Sequence, residues 1–223
     1  MTPRNETVTI HPESRRPPFQ SSTRKRTHTT MSMKTTLIAA TLSIAAGLAQ
    51  AEAGTYSIDP THTFVTFEAL HFGTSTLRGR FDRKEGTVTF DRAGKTGKAE
   101  ITIDLGSVST GVAPLDTHLK SKDFFNVGAD GAASAKFVGE RFSFAGDKVS
   151  EVAGTLTLLG KTMPVTLKAS NFNCYVNPIF KREVCGGDFE TTIVRSQWGV
   201  SYGLNFGLPD NIRLLVQVEA IRQ

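Results

Sequence analysis

Polar and apolar positions alternate in short runs along most of the chain. In residues 63–69, Val65, Phe67 and Ala69 share one face while Phe64, Thr66 and Glu68 share the other, and residues 77–81 alternate in the same way. A period of two places successive side chains on opposite faces of a strand, so each run predicts a strand with one buried face. The same reading predicts strands at 87–91, 99–105 (with Ile101 and Ile103 inward), 134–138, 141–145, 154–159, 163–169, 187–193 and 212–220. Short turn sequences containing glycine, Asp91–Gly94, Ala145–Lys148 and Leu159–Thr162, separate several of them. They suit hairpins because glycine accepts positive φ. Connections this short favour antiparallel pairing, since a parallel crossover needs about a dozen residues or more. Residues 114–126 break the alternation: Pro114 stands near a helix start, Asp116 precedes Lys120 by four, and Leu115, Leu119 and Phe124 recur at helical spacing. That stretch predicts one or two short helical turns. Many strands and one helix predict an all-β fold: an antiparallel barrel of about eight strands, closed or nearly so, with one short helical insertion.

A barrel of this size is either filled by its own side chains or encloses one small ligand. The faces assigned inward carry large rings, Phe67, Phe81, Phe90, Phe137, Phe144 and Phe189, together with Ala69, Gly79, Ala99 and Gly154. Rings can wall a slot that small residues leave open, and the same mixture can interlock into a solid core. Pattern leaves both interiors open.

Charge changes the picture once it is divided along the chain. The 223 residues carry 26 basic and 21 acidic side chains, a formal charge of +5, which taken whole suggests a nucleic-acid partner. Residues 1–51 hold seven of the basic and two of the acidic ones, leaving 19 of each in 52–223. A neutral domain exerts no long-range attraction on phosphate backbones, so no nucleic-acid partner is expected. The excess belongs to a leader: Lys34 precedes an apolar run at 37–48 that ends in Ala49-Gln50-Ala51. This is the pattern of a signal peptide cleaved after Ala51, and the run is shorter than the roughly 20 residues of a membrane span. Residues 33–51 are therefore expected to direct export. Residues 1–32 read as a disordered extension, or as translation from upstream of a true start at Met31 or Met33. A single domain remains at 52–223. Cys174 and Cys185, with ten residues between them, read in an oxidising compartment as a disulfide closing a loop, worth about 3 kcal/mol.

Several landmarks together resemble a known family. Tyr56-Ser-Ile-Asp59-Pro-Thr-His62-Thr is followed by Val65-x-Phe67-x-x-x-His71 and Leu77-x-Gly79-x-Phe81. Then come Asp116-x-His118-Leu119 leading to Asp123-Phe124-Phe125, Ala135-x-Phe137, Val152-x-Gly154-x-Leu156-Thr157-Leu158-x-Gly160, and Arg195-Ser-Gln-Trp198-Gly199. Their order and spacing over 55–221 resemble the YceI-like family of exported bacterial proteins. The resemblance implies a hollow, lipocalin-like barrel in the periplasm that holds one long isoprenoid-type or acyl chain. It moves the expected interior from a solid core to a pocket.

Polar candidates are few. His62, His71 and His118 are the histidines beyond the leader, and none forms a His-x-His or His-x-x-x-His pair. His71 shares the parity of Val65 and Phe67 at its strand's end, a place near a mouth from which it can bond a quinone or diphosphate head. Asp59 with His62 reads as a polar clamp at a strand end. Arg195 is expected to pin a barrel end by pairing with a carboxylate, with Asp59 and Asp116 as candidates. Lys120 and Lys122 can draw an anionic head to a portal. No nucleophile elbow, phosphate loop or zinc spacing is present in the sequence, so neither an enzyme, a metal nor an obligatory cofactor is expected. The expected role is a periplasmic carrier that sequesters a polyprenyl, ubiquinone-like or fatty-acyl lipid. Its tail would lie among Val65, Phe67, Phe81, Ile101, Ile103, Phe137, Leu156 and Phe189, with Phe124 and Phe125 capping one end and His71 near the head. The alternative is a quinone-dependent redox or stress-protection protein with His71 as proton partner. A membrane-embedded barrel would need lipid-facing apolar bands, whereas the outward positions are Thr, Arg, Lys and Glu. No stable membrane insertion is expected, and a homodimer is left open.

Overall fold

The computed structural model describes residues 53–128 and 134–223. The extension at 1–32, the signal peptide at 33–51 and the cleavage point after Ala51 lie outside the described residues. Eleven strands and one α-helix follow in order: β1 (Gly54–Ile58), β2 (Phe64–His71), β3 (Ser75–Phe81), β4 (Lys84–Asp91), β5 (Thr96–Asp104), β6 (Val108–Ser109), α1 (Ala113–Lys120), β7 (Ser134–Ala145), β8 (Lys148–Leu158), β9 (Lys161–Val176), β10 (Glu183–Val194) and β11 (Asn211–Arg222). Their pairings are antiparallel. β1 pairs β4 while β2 pairs β3, so β1–β2 and β3–β4 each form one long stave bent at its middle. Counted that way, eight staves close into a barrel, because β11 pairs β10 on one edge and both β2 and β1 on the other.

The alternation read from the sequence explains the wall. On β11, Ile212, Leu214, Val216, Val218 and Ala220 face the interior, while Arg213 and Gln217 are exposed. Outside, Arg213 bridges Glu68 and Glu190, and Arg78 pairs with Glu68 at 2.7 Å. Such exposed pairs contribute little to stability. Among the described residues no helix is long and apolar enough to cross a membrane.

Three details depart from simple alternation. β1 was not legible as a strand, because its five residues offer only Tyr56 and Ile58 as large apolar side chains. Residues 134–145 form one strand rather than two, with irregularities between Gly139 and Arg141 and between Ser143 and Phe144. The first adds a residue and shifts the inward set from Ala135, Phe137 and Gly139 to Phe142 and Phe144. Phe142 lines the interior, and Phe144 stacks on Phe90 with ring centroids 6.1 Å apart. Gly154 does not open the lumen. A Cβ there would lie 2.0 Å from the Val138 carbonyl oxygen, so this glycine makes room for the neighbouring backbone beside the bulge.

Gly79 does affect the lumen. It pairs with Phe67 across β2 and β3, and a Cβ on it would stand 2.3 Å from the Phe67 ring tip. The ring lies flat over the bare backbone and leaves the interior free. Gly79→Ala is expected to push Phe67 inward, costing about 1–3 kcal/mol of stability by overpacking and shortening the ligands accepted. Chemical denaturation with an unchanged midpoint would contradict this.

Cys174 and Cys185 form a disulfide between directly opposed residues of β9 and β10. It staples the hairpin whose tip lies at 177–182. The bond is the one the export reading anticipated.

Candidate functional site

The barrel encloses two apolar chambers joined end to end. The narrower has a volume of about 140 Å³ and takes in Ile101, Phe137 and Phe189. The wider, about 400 Å³, takes in Phe67, His71, Phe81, Phe124 and Phe125. Val65, Ile103, Leu156 and Leu214 belong to both and form the neck between them. All eleven residues expected to surround a tail therefore lie on one continuous surface. A void needs only about 10–15 Å³ to admit one water, yet an enclosed apolar cavity of about 150 Å³, the scale of the narrow chamber, stays dry.

The narrow chamber ends at Tyr56 and Phe90. The Tyr56 hydroxyl donates to Glu183 Oε1 at 2.6 Å. Burial, reinforced by this carboxylate, pushes the phenol up to about 12. The closed end is thus a neutral ring whose one polar atom is occupied.

The wide chamber reaches the end carrying α1, the β2–β3 turn and the loop from Arg195 to Asp210. Pro114 opens α1 and Leu119 is buried beneath it. Asp116 fixes the approach by accepting from the Thr110 N–H at 2.7 Å and its hydroxyl at 2.6 Å. Those bonds hold its carboxyl below the usual range. His118 lies 3.1 Å from Asp123 and meets Phe124 and Tyr202 edge-on, with centroids 5.1 and 5.0 Å apart. The insertion therefore seals one side of the mouth with aromatic rings. Phe124 and Phe125 were legible there; His118, Phe72, Tyr202 and Leu208, which also line the wide chamber, were not. The signal for Tyr202 and Leu208 was available as an aromatic among the clustered glycines Gly199, Gly203 and Gly207.

Arg195 differs from expectation. It pairs with neither Asp59 nor Asp116 but donates to three carbonyls, those of Pro209 (2.8 Å), Val200 (2.9 Å) and Tyr202 (2.9 Å). Asp210 completes the latch by accepting from the Ser196 N–H and hydroxyl at 2.9 and 2.7 Å. A planar fork with five donors suits carbonyls converging from a folded loop, which no single carboxylate requires. Burial pushes the guanidinium pKa down, and Asp210 opposes that. Trp198 ties the same segment to the neck by donating from Nε1 to the Leu156 carbonyl at 3.0 Å.

Asp59 and His62 meet as expected at a strand end, here the seam where β11 passes from β1 to β2. Asp59 N–H donates to the Glu219 carbonyl at 2.8 Å, and His62 Nδ1 lies 2.7 Å from Asp59 Oδ2. Burial raises the Asp59 pKa, but hydrogen bonds from Thr61 and His62 outweigh it and leave about 2 instead of 3.8. The bond to Asp59 and then its charge raise His62 above 6.5. Asp59 therefore stabilises the fold fully above pH 3.8, and this is lost as pH falls towards 2. His62 contributes fully below pH 6.5, and that part is lost as pH rises through its raised value. An NMR titration is expected to place His62 above 6.5, with Asp59→Asn returning it towards that value; a midpoint indifferent to the substitution would contradict the clamp.

A family model described as the YceI-like domain matches residues 56–220. The chain belongs to the YceI-like family. Curated relatives include a UPF0312 protein of Pseudomonas paraeruginosa, 36% identical over 195 residues, covering 86% of this chain and 100% of that protein. Another, from Ectopseudomonas mendocina, is 31% identical over 194 residues with the same coverage. Among solved structures, BcnA of Burkholderia cenocepacia superposes with a TM-score of 0.60 at 23% identity, covering 73% of this chain and 98% of that one. A polyisoprenoid binding domain from Saccharophagus degradans, implicated in plant cell wall breakdown, gives 0.54 at 16% identity, with coverage of 77% and 100%. At such identities the likeness is one of fold. The fold shared is the one described above for this YceI-like chain, and the disulfide suits an oxidising compartment.

Proposed function

We propose that this YceI-like chain is a carrier of the bacterial periplasm, exported by cleavage after Ala51, that sequesters one long isoprenoid or acyl lipid in its lumen. The observation that carries this is the apolar surface running through both chambers: at the narrow end the Tyr56 and Thr63 hydroxyls are spent on Glu183 and the Glu219 carbonyl, and the other polar side chains, His71, His118, Arg195 and Tyr202, gather at the wide end. A tail would lie along the axis with its head at that end. Arg195 is committed to backbone carbonyls, so head-group contacts fall to the histidines and Tyr202. Each buried methylene contributes about 0.8 kcal/mol, so a long tail needs few polar contacts to be retained.

The lumen suits a long tail. The lining residues of β11 run from Ile212 to Ala220, roughly 26 Å along the strand and about 20 Å along a barrel axis tilted near 40° to it. A long acyl chain in its extended form and an isoprenoid of several units both reach that far. Prenyl alcohols of increasing length, added to delipidated protein and followed by the fluorescence of Trp198, are expected to bind more tightly until the lumen is filled and then level off. Affinity indifferent to chain length would overturn the reading.

A second reading, turnover of a bound quinone with His71 as proton partner, draws support from the place of His71 on the wall of the wide chamber. It requires that His71→Ala abolish quinone reduction while an aliphatic chain still binds. Equal loss of both leaves binding alone.

A further inference from the structure

We propose, resting on the carrier reading above, that the mouth of the lumen docks on a lipid bilayer and that the tail passes between bilayer and barrel during that contact. Four apolar side chains stand out of the protein around the opening: Leu70 (53% exposed), Phe72 (53%), Tyr202 (39%) and Phe206 (65%). Leu70 lies near the end of β2, Phe72 in the turn that follows it, and Tyr202 and Phe206 in a second turn beside the first. In the first, Phe72 and Gly73 both take positive φ, 50° and 70°; in the second, Gly203 and Gly207 do so at 76° and 94°. The two turns touch, since a Cβ on Gly207 would stand 3.6 Å from the Phe72 ring. A phenylalanine with positive φ is an unfavourable conformation that the surrounding chain must hold in place, and here it turns a ring outward rather than into the core.

Phe72, Tyr202 and Phe206 are at once exposed and part of the wall of the wide chamber. Apolar surface therefore continues from the interior to the outside alongside the polar groups of the mouth. That continuity selects the occupant. Each methylene carried through water shifts the equilibrium about fourfold against transfer, so a long tail released to solvent would leave many decades too slowly to be useful. A bilayer interior has the chemistry of the lumen, and aromatic side chains settle at its interface. Contact lets the tail move from one apolar phase to the other.

The test loads the protein with a dansyl-tagged geranylgeranyl chain and mixes it with phosphatidylcholine vesicles that contain a quenching lipid. The transfer rate is expected to rise in proportion to vesicle concentration. Replacing Leu70, Phe72 and Phe206 together by Ser is expected to slow it at least tenfold. Leu70→Ser alone, outside the lumen, is expected to slow it severalfold with equilibrium affinity for the probe unchanged, which separates docking from binding. A native rate independent of vesicle concentration would overturn the docking while leaving the carrier reading intact. Failure of the native protein to bind the probe would overturn the carrier reading itself. A dimer abolished by the same substitutions, with no vesicle dependence, would assign the rim to a second copy and overturn the proposal.

Discussion

Replacing Leu214 by Trp is expected to cut affinity for a long prenyl chain several thousandfold while a short one still binds. Leu214 belongs to the neck, where the chambers of about 140 and 400 Å³ meet. An indole there fills the passage from one side, beside Val65 of the neighbouring strand and facing Ile103 and Leu156. A tail shut out of the narrow chamber loses the burial of about six methylenes, nearly 5 kcal/mol at about 0.8 kcal/mol each. A short chain resides wholly in the wide chamber and loses little. The larger side chain overpacks this constriction, so the fold is expected to survive at a cost of about 1–3 kcal/mol. Competition against a radiolabelled prenyl alcohol, run with short and long competitors, reads the split. Equal weakening of both would mean that the substitution disturbs the barrel rather than its bore, and Ile103→Trp on the opposite wall provides an independent repeat.

Arg195→Met is expected to destabilise the protein by about 3 kcal/mol, a fall of roughly 6–12 °C in Tm for a domain of this size. The substitution keeps an unbranched apolar stem that reaches about as far as Nε and removes the donors to Pro209, Val200 and Tyr202. Three carbonyls folded around a buried guanidinium then lose their partner, and leaving such groups unsatisfied is the larger part of the penalty. The effect should be local as well as global. Backbone amides between Val200 and Pro209 are expected to exchange faster, because the latch holds that loop against the mouth. Arg195→Lys is expected to recover only part of the loss, since one ammonium cannot span three acceptors in a plane. A Tm within 2 °C of the native value would contradict this role. Asp116→Asn is expected to leave the latch undisturbed, because Asp116 serves Thr110 instead.

Sequence and structure agree best where one rule decides the outcome. Alternation along β2, β5 and β11 placed Val65, Phe67, Ile101 and Ile103 on the lining surface because a half-buried strand has no other way to satisfy both faces. The helical spacing of Leu115, Leu119 and Phe124 likewise located α1 and the aromatic cap that follows it. Agreement fails where the outcome depends on groups remote in sequence. The bulge at Gly139 to Arg141 carries no signature within β7, since it exists only relative to β8. The acceptors of Arg195 are main-chain carbonyls, which every residue possesses, so no residue type announces them. Phe72 and Tyr202 reach the mouth through turns whose glycines are visible but whose fold in space is not. The hollow interior is the same kind of property. It depends on where the Phe67 ring lies over Gly79, and composition is silent on that.

Native mass spectrometry of the protein taken from a bacterial periplasm asks whether a tail occupies the lumen. A single adduct in one-to-one ratio is expected, of a mass belonging to a lipid with a long hydrocarbon tail, lost on extraction with organic solvent and absent from the Leu214→Trp variant. A protein found only at its bare mass, and still bare after incubation with prenyl alcohols or quinones, would contradict it.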